Sequence, residues 1–214
     1  MAQKKSIFSY LPLYNLLSAI GWGYILYSVV RYYPVNGQPK FFFDTKKVVT
    51  FIQFGAVIEI INSLFGIVRS PLLTTVAQVL SRLVLVIGVF YYIPEAPNAH
   101  GFIYITLLLA WSITEIVRYL FYFFTLTSSR GAPTFLVYLR YNLFLVLYPT
   151  GVASELLIIY SALPYAEAKY SAFGKYFFIA VMLTYIPGLP MLFLHMLAQR
   201  KKIMKQLKSK NKSN

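Results

Sequence analysis

The stretch LYPTGVASELLIIY, residues 147–160, decides how the rest of the chain is read. It reads as membrane-embedded helix, yet it carries a carboxylate, Glu155, seven residues after a phenol, Tyr148. Pro149 follows the phenol directly. A charged side chain at the centre of a membrane helix costs roughly 2.5–3.5 kcal/mol, so pairing or function must offset it. The stretch therefore poses two questions: whether its surroundings are lipid, and what the acid does there.

Composition answers the first. The chain has 214 residues, 58% of them hydrophobic and 12% charged, with mean hydropathy +0.63. A soluble domain carries about a quarter charged residues. Crossing a bilayer takes about 20 apolar residues at about 1.5 Å rise each. Runs of that length recur, and the expected class is an all-α polytopic membrane protein. Six spans are expected, over 10–31, 48–68, 72–93, 102–126, 138–162 and 176–199. Gly, Pro and Asn punctuate the gaps, as in YYPVNGQP (32–39), IPEAPNAHG (93–101) and SSRGAP (128–133). The gap at 69–71 predicts a tight antiparallel hairpin. MAQKKSIFSY, residues 1–10, lacks a small-residue cleavage site, so the first span reads as an anchor. No internal repeat is visible. Residues 1–200 are expected to form one transmembrane domain and 201–214 a basic tail.

Charge placement orients the spans. With both termini cytosolic, that side holds Lys4, Lys5, Arg69, Arg130 and seven basic residues of the tail, eleven in all, against six opposite. The positive-inside rule then favours cytosolic ends. A basic tail beside anionic lipid explains much of the +14 net charge, and no phosphate loop or basic–aromatic module accompanies it. Nucleic acid is excluded as a partner. The closing KNKSN, residues 210–214, resembles the dilysine signal that returns membrane proteins to the endoplasmic reticulum.

Residue counts remove further chemistry. With no cysteine there is no disulfide, thiolate metal site or cysteine nucleophile. His100 and His195 stand far apart in no ligand-spaced motif, so no metal site is expected.

Polar groups inside the expected spans are Glu59, Gln78, Arg82, Glu115, Arg118, Tyr148 and Glu155. The assigned topology puts all of them between the midplane and the cytosolic half, as a cytosol-facing cavity would. Glu115 and Arg118, three apart, read as a structural ion pair, and Arg82 as a partner for Glu59 across the hairpin. Seven residues at about 100° each bring Tyr148 and Glu155 to within about 20° of the same face, about 10 Å apart along the axis. Pro149 is expected to kink the helix between them, and Gly151 to permit a close approach by backbone or substrate. A phenol and a carboxyl group on one face suit an elimination or proton shift on an activated acyl chain. They also suit helix packing, and the residues by themselves leave both open.

LPLYNLLSAIGW (11–22), AVIEIINSLFGIVRSPLLTT (56–75), LAWSITEIVRYLFYFF (109–124) and RYNLFLVLYPTGVASE (140–155) together resemble the 3-hydroxyacyl-CoA dehydratase family, also called protein tyrosine phosphatase-like. The likeness runs from about residue 10 to 200, with W-S-x-x-E-x-x-R-Y and R-Y-x-x-F-x-x-L-Y-P-x-G-x-x-x-E as its specific patterns. The resemblance implies a six-span enzyme of the endoplasmic reticulum membrane. Its reaction would be the third step of very-long-chain fatty acid elongation, which supplies sphingolipid and other long acyl chains. That step dehydrates (3R)-3-hydroxyacyl-CoA to trans-2-enoyl-CoA. The family's catalytic pair falls on Tyr148 and Glu155. Partners would be the long-chain 3-hydroxyacyl-CoA, membrane lipid, and the condensing enzyme, ketoacyl reductase and enoyl reductase of the cycle. No cofactor is expected, because CoA is part of the substrate.

Within that reading Glu155 takes the C2 proton and Tyr148 protonates the leaving 3-hydroxyl, with the reverse assignment open. Arg82, Arg118 and Gln78 are expected near the thioester carbonyl, and CoA phosphates near Arg69, Arg130, Arg140 or the tail. Tyrosine phosphatase chemistry is excluded, because SLFGIVR (63–69) has Ser63 where a C-x5-R motif needs its thiol. Two rivals are a non-catalytic scaffold or lipid-binding subunit of the elongase assembly, and a proton-relay transporter. Internal repeats, the usual transporter signature, are missing.

Overall fold

The computed structural model describes residues 5–68 and 70–212, and all regular structure among them is helical. Helices α1 (Tyr10–Asn36), α2 (Lys40–Leu64), α3 (Leu72–Val89) and α4 (Phe102–Thr127) precede a short α5 (Thr134–Asn142) and a long α6 (Phe144–Lys212). A π-helical turn over Ser28–Tyr32 interrupts α1, Gly55 joints α2, and Val84–Val89 closes α3 as a second π-helical turn. Lys4, Arg69 and the side chains of the dilysine-like pair, Lys210 and Lys212, lie outside the described residues.

Five stretches are long and apolar enough to cross a membrane: α1 to α4, and Phe144–Leu207 within α6. The last is not one rod. Helical dihedrals fail at Tyr170 (φ −128°, ψ 18°) and at Ser171, whose φ of 62° lies in the left-handed region. The second arm (172–212) then runs back along the first (144–169). Tyr185 pairs with Glu155, the Phe193 ring stacks on Tyr148 at 6.2 Å, and Arg200 Nε–H donates to Asn142 Oδ1 at 3.0 Å. Ascending numbers on one arm meet descending numbers on the other, which defines an antiparallel pair. Pro149 lies inside the first arm with helical dihedrals on both sides, and the reversal at Tyr170–Ser171 falls in the gap expected between the spans 138–162 and 176–199. The tail continues the helix to Lys212, and the boundary at residue 200 is one of composition and not of backbone.

The α1 and α2 boundaries also differ from expectation. Helix α1 continues to Asn36, and α2 starts at Lys40, not near 48. Charged residues ahead of the expected start at 48 are accommodated on the helix. Asp44 accepts a hydrogen bond from Tyr32 at 2.5 Å, and Lys46 lies over the Phe42 and Phe43 rings at 5.3 and 4.9 Å. Long basic side chains keep their heads at an interface while their stems cover apolar surface.

Helix α4 is central, packed against α1 on one side and the first arm of α6 on the other. Edge-to-face pairs Trp22–Trp111 (6.2 Å) and Tyr14–Tyr119 (5.8 Å) join α1 to α4. Near the start of α4, the fully buried Tyr104 ring sits among Phe41, Phe42 and Phe90 at 5.1–6.0 Å, and its hydroxyl meets Thr45 Oγ1 at 3.0 Å. Such edge-on contacts use the rings' quadrupoles as well as their area. They fill that end of the bundle with hydrocarbon, and the buried charged groups gather further along α4.

Candidate active site

Positions 111, 115, 118 and 119 of α4 follow the i, i+4, i+7, i+8 spacing of one helix face. Trp111, Glu115, Arg118 and Tyr119 therefore project together, and neighbouring helices supply their partners. Beside Trp111 lies Glu155, of which 6% is exposed. Its Oε1 accepts the Trp111 Nε1–H at 2.8 Å, and its Oε2 accepts the Tyr185 hydroxyl at 2.7 Å. Gly151, one turn earlier, faces the same seam, and an added methyl would be accommodated there. A Cβ added there would stand 3.7 Å from Ala110 Cβ and 3.9 Å from Trp111 Cδ1, so the helices already meet at contact distance.

Tyr148 is half-buried beside Phe193 and has no hydrogen-bond partner for its hydroxyl among the described residues. Glu155 lies close enough for its charge to act on that hydroxyl. Arg82 of α3 is also within electrostatic reach of Glu155, and its guanidinium sits over the Trp111 ring, 5.0 Å from the centroid.

Arg82 opens a chain of ion pairs. It donates to Glu115 Oε1. Arg118 donates to Glu115 Oε2 through Nε at 2.8 Å and Nη2 at 2.5 Å, and forks onto Glu59 through Nη1 and Nη2 at 2.7 Å each. Tyr119 donates to Glu59 Oε1 at 2.5 Å, and the Tyr14 hydroxyl donates to the Gly55 carbonyl at 3.1 Å. Two guanidiniums and two carboxylates cancel in charge, so this chain of groups is neutral as a whole. The expected Glu115–Arg118 pair is present. The expected Arg82–Glu59 pair is not: Arg118 holds Glu59 in a bidentate fork, and Arg82 turns to Glu115 on the central helix.

The remaining sequence candidates are dispersed. Gln78 is exposed and stands apart from this network, although it lies one turn before Arg82. Arg140 of α5 donates to the Tyr122 hydroxyl at 2.9 Å and covers the Phe121 and Tyr122 rings at 4.5 and 4.6 Å, near the far end of α4. A recess of about 270 Å³ beside it is lined by Phe121, Thr125, Val137, Tyr141 and Leu207. Sequence reading missed Trp111 and Tyr185. Trp111 opens the W-S-x-x-E pattern, which was a usable signal. Tyr185 had none, because only the fold-back of α6 brings it to a residue 30 positions earlier.

Residues 53–206 match the family described as protein tyrosine phosphatase-like protein, PTPLA. Among curated relatives, the rice protein named very-long-chain (3R)-3-hydroxyacyl-CoA dehydratase PASTICCINO 2A is 41% identical, over 94% of this chain and 95% of its own. A probable very-long-chain (3R)-3-hydroxyacyl-CoA dehydratase of Schizosaccharomyces pombe is 41% identical over 92% and 93%. Human very-long-chain (3R)-3-hydroxyacyl-CoA dehydratase 2 is 38% identical, over 92% of this chain and 81% of that one. No solved structure matches.

Proposed function

The chain belongs to the protein tyrosine phosphatase-like family of very-long-chain (3R)-3-hydroxyacyl-CoA dehydratases, and we propose that its reaction takes place between Tyr148 and Glu155. It is a hydro-lyase of fatty acid elongation, and a scaffold role is not favoured. Glu155 takes the C2 proton of the hydroxyacyl thioester. The C3–O bond breaks, and Tyr148 gives its proton to the departing oxygen, which leaves as water. Proton return from Glu155 to Tyr148 through solvent resets the pair. No cofactor enters the balance.

The observation that carries this reading is the pairing itself. An oriented, buried carboxyl group and a phenol with no hydrogen-bond partner among the described residues lie on one helix face, the phenol within reach of the carboxylate's charge. Arg82 is the group we assign to the thioester carbonyl. It spends one contact on Glu115 and keeps further N–H donors, whereas Arg118 is committed to two carboxylates and holds the bundle together. The CoA end of the substrate lies toward Arg140 and the recess beside it. Purified protein supplied with (3R)-3-hydroxyacyl-CoA should form 2-enoyl-CoA, and with the (3S) epimer should not. Turnover of both epimers at equal rates, or of neither, rejects the site as drawn.

The chain is a multi-pass membrane protein, and we place it in the endoplasmic reticulum with both ends cytosolic and six crossings. The reversal at Tyr170–Ser171 supports the sixth, because it returns the chain toward the end from which α6 starts. Contact with the condensing enzyme and the two reductases follows from the shared substrate series. The cysteine-free chain offers a direct check. A cysteine in place of the exposed Ala172 should react with a membrane-impermeant maleimide only after microsomes are opened; labelling of sealed microsomes reverses the orientation.

A further inference from the structure

Both oxygens of Glu155 are hydrogen-bonded, but the two donors are chemically unequal. Trp111 Nε1–H can only donate, at 2.8 Å to Oε1. The Tyr185 hydroxyl, at 2.7 Å from Oε2, can donate or accept. A carboxylate flanked in this way has one oxygen fixed as an acceptor and one whose partner tolerates a proton on either side. We infer that Tyr185, on the second arm of α6, is a positioning residue for the dehydration. It fixes the plane of the Glu155 carboxylate and leaves Oε2 as the oxygen that receives the C2 proton. The inference rests on Glu155 being the base of the reaction.

The exchange balances without another reactant. While Glu155 is charged, Tyr185 donates to Oε2. When the C2–H bond breaks and its proton lands on Oε2, the new carboxyl O–H donates to Tyr185, whose hydroxyl rotates to accept. No charge moves onto Tyr185, and the hydrogen bond is never lost. Trp111 keeps Oε1 in place throughout.

Neighbouring contacts hold Tyr185 where this requires. Ser81 of α3 lies near its hydroxyl, which is also within electrostatic reach of Arg82, and Phe193 on the same arm, two turns further on, stacks on Tyr148. One face of the second arm therefore touches both members of the catalytic pair. Arg82 links that face to the charged chain on α4, because it lies over Trp111 and pairs with Glu115. The sequence between Tyr185 and Phe193 is I-P-G-L-P-M-L, yet it stays helical, so the two contacts keep a fixed spacing.

The test separates this role from a packing role. Tyr185→Phe keeps the ring and removes only the hydroxyl. If Tyr185 aligns Glu155, kcat falls about 10- to 100-fold while KM changes less than about threefold, and the thermal midpoint in detergent stays within a few degrees. Trp111→Phe serves as the second variant, and the same kcat-selective loss is expected of it. Adding Tyr185→Phe to Glu155→Gln should lower the rate no further than Glu155→Gln does. Unchanged kcat in Tyr185→Phe, or a loss confined to KM, overturns the inference. So does a double variant slower than Glu155→Gln by the full single-variant factor. Full activity in Glu155→Gln would instead reject the base itself, a result distinguishable from failure of Tyr185 alone.

Discussion

Replacing Glu155 by glutamine is expected to lower kcat for enoyl-CoA formation by about 10²- to 10⁴-fold, the range over which a positioned proton-transfer group acts. The variant should still fold. A glutamine is nearly the same size, its carbonyl oxygen can accept the Trp111 N–H, and its amide can donate to Tyr185 with that hydroxyl reversed. What it cannot do is take a proton from C2. Purified variant and parent should show the same helical content, and the rate of enoyl-CoA formation is the measurement. A rate within about threefold of the parent would remove Glu155 from the chemistry. The loss should also exceed that of Tyr185→Phe, because removing the base is worse than misaligning it.

Only part of this arrangement was legible in the sequence. Membrane class follows from the number and length of apolar runs, which no soluble fold can hide. The shared face of Tyr148 and Glu155 follows from seven-residue spacing, and the helix keeps that spacing because its dihedrals run unbroken through Pro149. Helix boundaries were harder. Lys46 and Lys47 look like loop residues in a hydropathy reading, but Lys46 lays its head over aromatic rings and the helix begins earlier. The reversal in α6 falls on Tyr170 and Ser171, inside the gap expected between 162 and 176, but no proline marks it: four prolines sit inside the helical arms instead.

Partner assignment was the least legible part. Arg82 and Glu59 flank a hairpin, so proximity along the chain paired them. In three dimensions α4 lies among α1, α2 and α3, and its Glu115 and Arg118 intercept both. Gln78 shares a nominal face with Arg82 but is exposed. A glutamine's reach is shorter, and four residues of helix leave it a full turn away along the axis. Tyr185 could not be assigned to Glu155 before the fold-back was known, since no periodicity links positions 30 apart on two arms.

The charged chain explains how a reactive carboxyl group is kept in place at tolerable cost. Glu59, Arg118, Glu115 and Arg82 cancel one another, and Glu155 beside them makes no ion pair among the described residues. Its donors, an indole and a phenol, are neutral. Neutral donors orient a carboxylate without the strong charge compensation that a guanidinium in direct contact would give. Glu115 has both oxygens occupied by guanidinium donors and offers no free site to a carbon-bound proton. Division of labour between the two acids follows from their partners alone.

Tyr148→Phe is the complementary case, and its expected loss is also about 10²- to 10⁴-fold in kcat. The ring remains, so its stack on Phe193 survives, and the hydroxyl removed has no protein partner among the described residues. Stability and KM should therefore change little, and the cost falls on expelling an unprotonated oxygen from C3. The two variants should separate when the reaction is run in deuterated water and the recovered substrate is analysed. With Tyr148→Phe, Glu155 can still remove the C2 proton, the enolate stalls and returns, and deuterium appears at C2. With Glu155→Gln the C2 hydrogen stays put. The opposite pattern would exchange the acid and base roles, and full turnover by Tyr148→Phe would show that the phenol takes no part. Because both groups stand on one arm of α6, neither result can be attributed to a changed helix pairing: each substitution alters one polar atom and leaves the packing surface as it was.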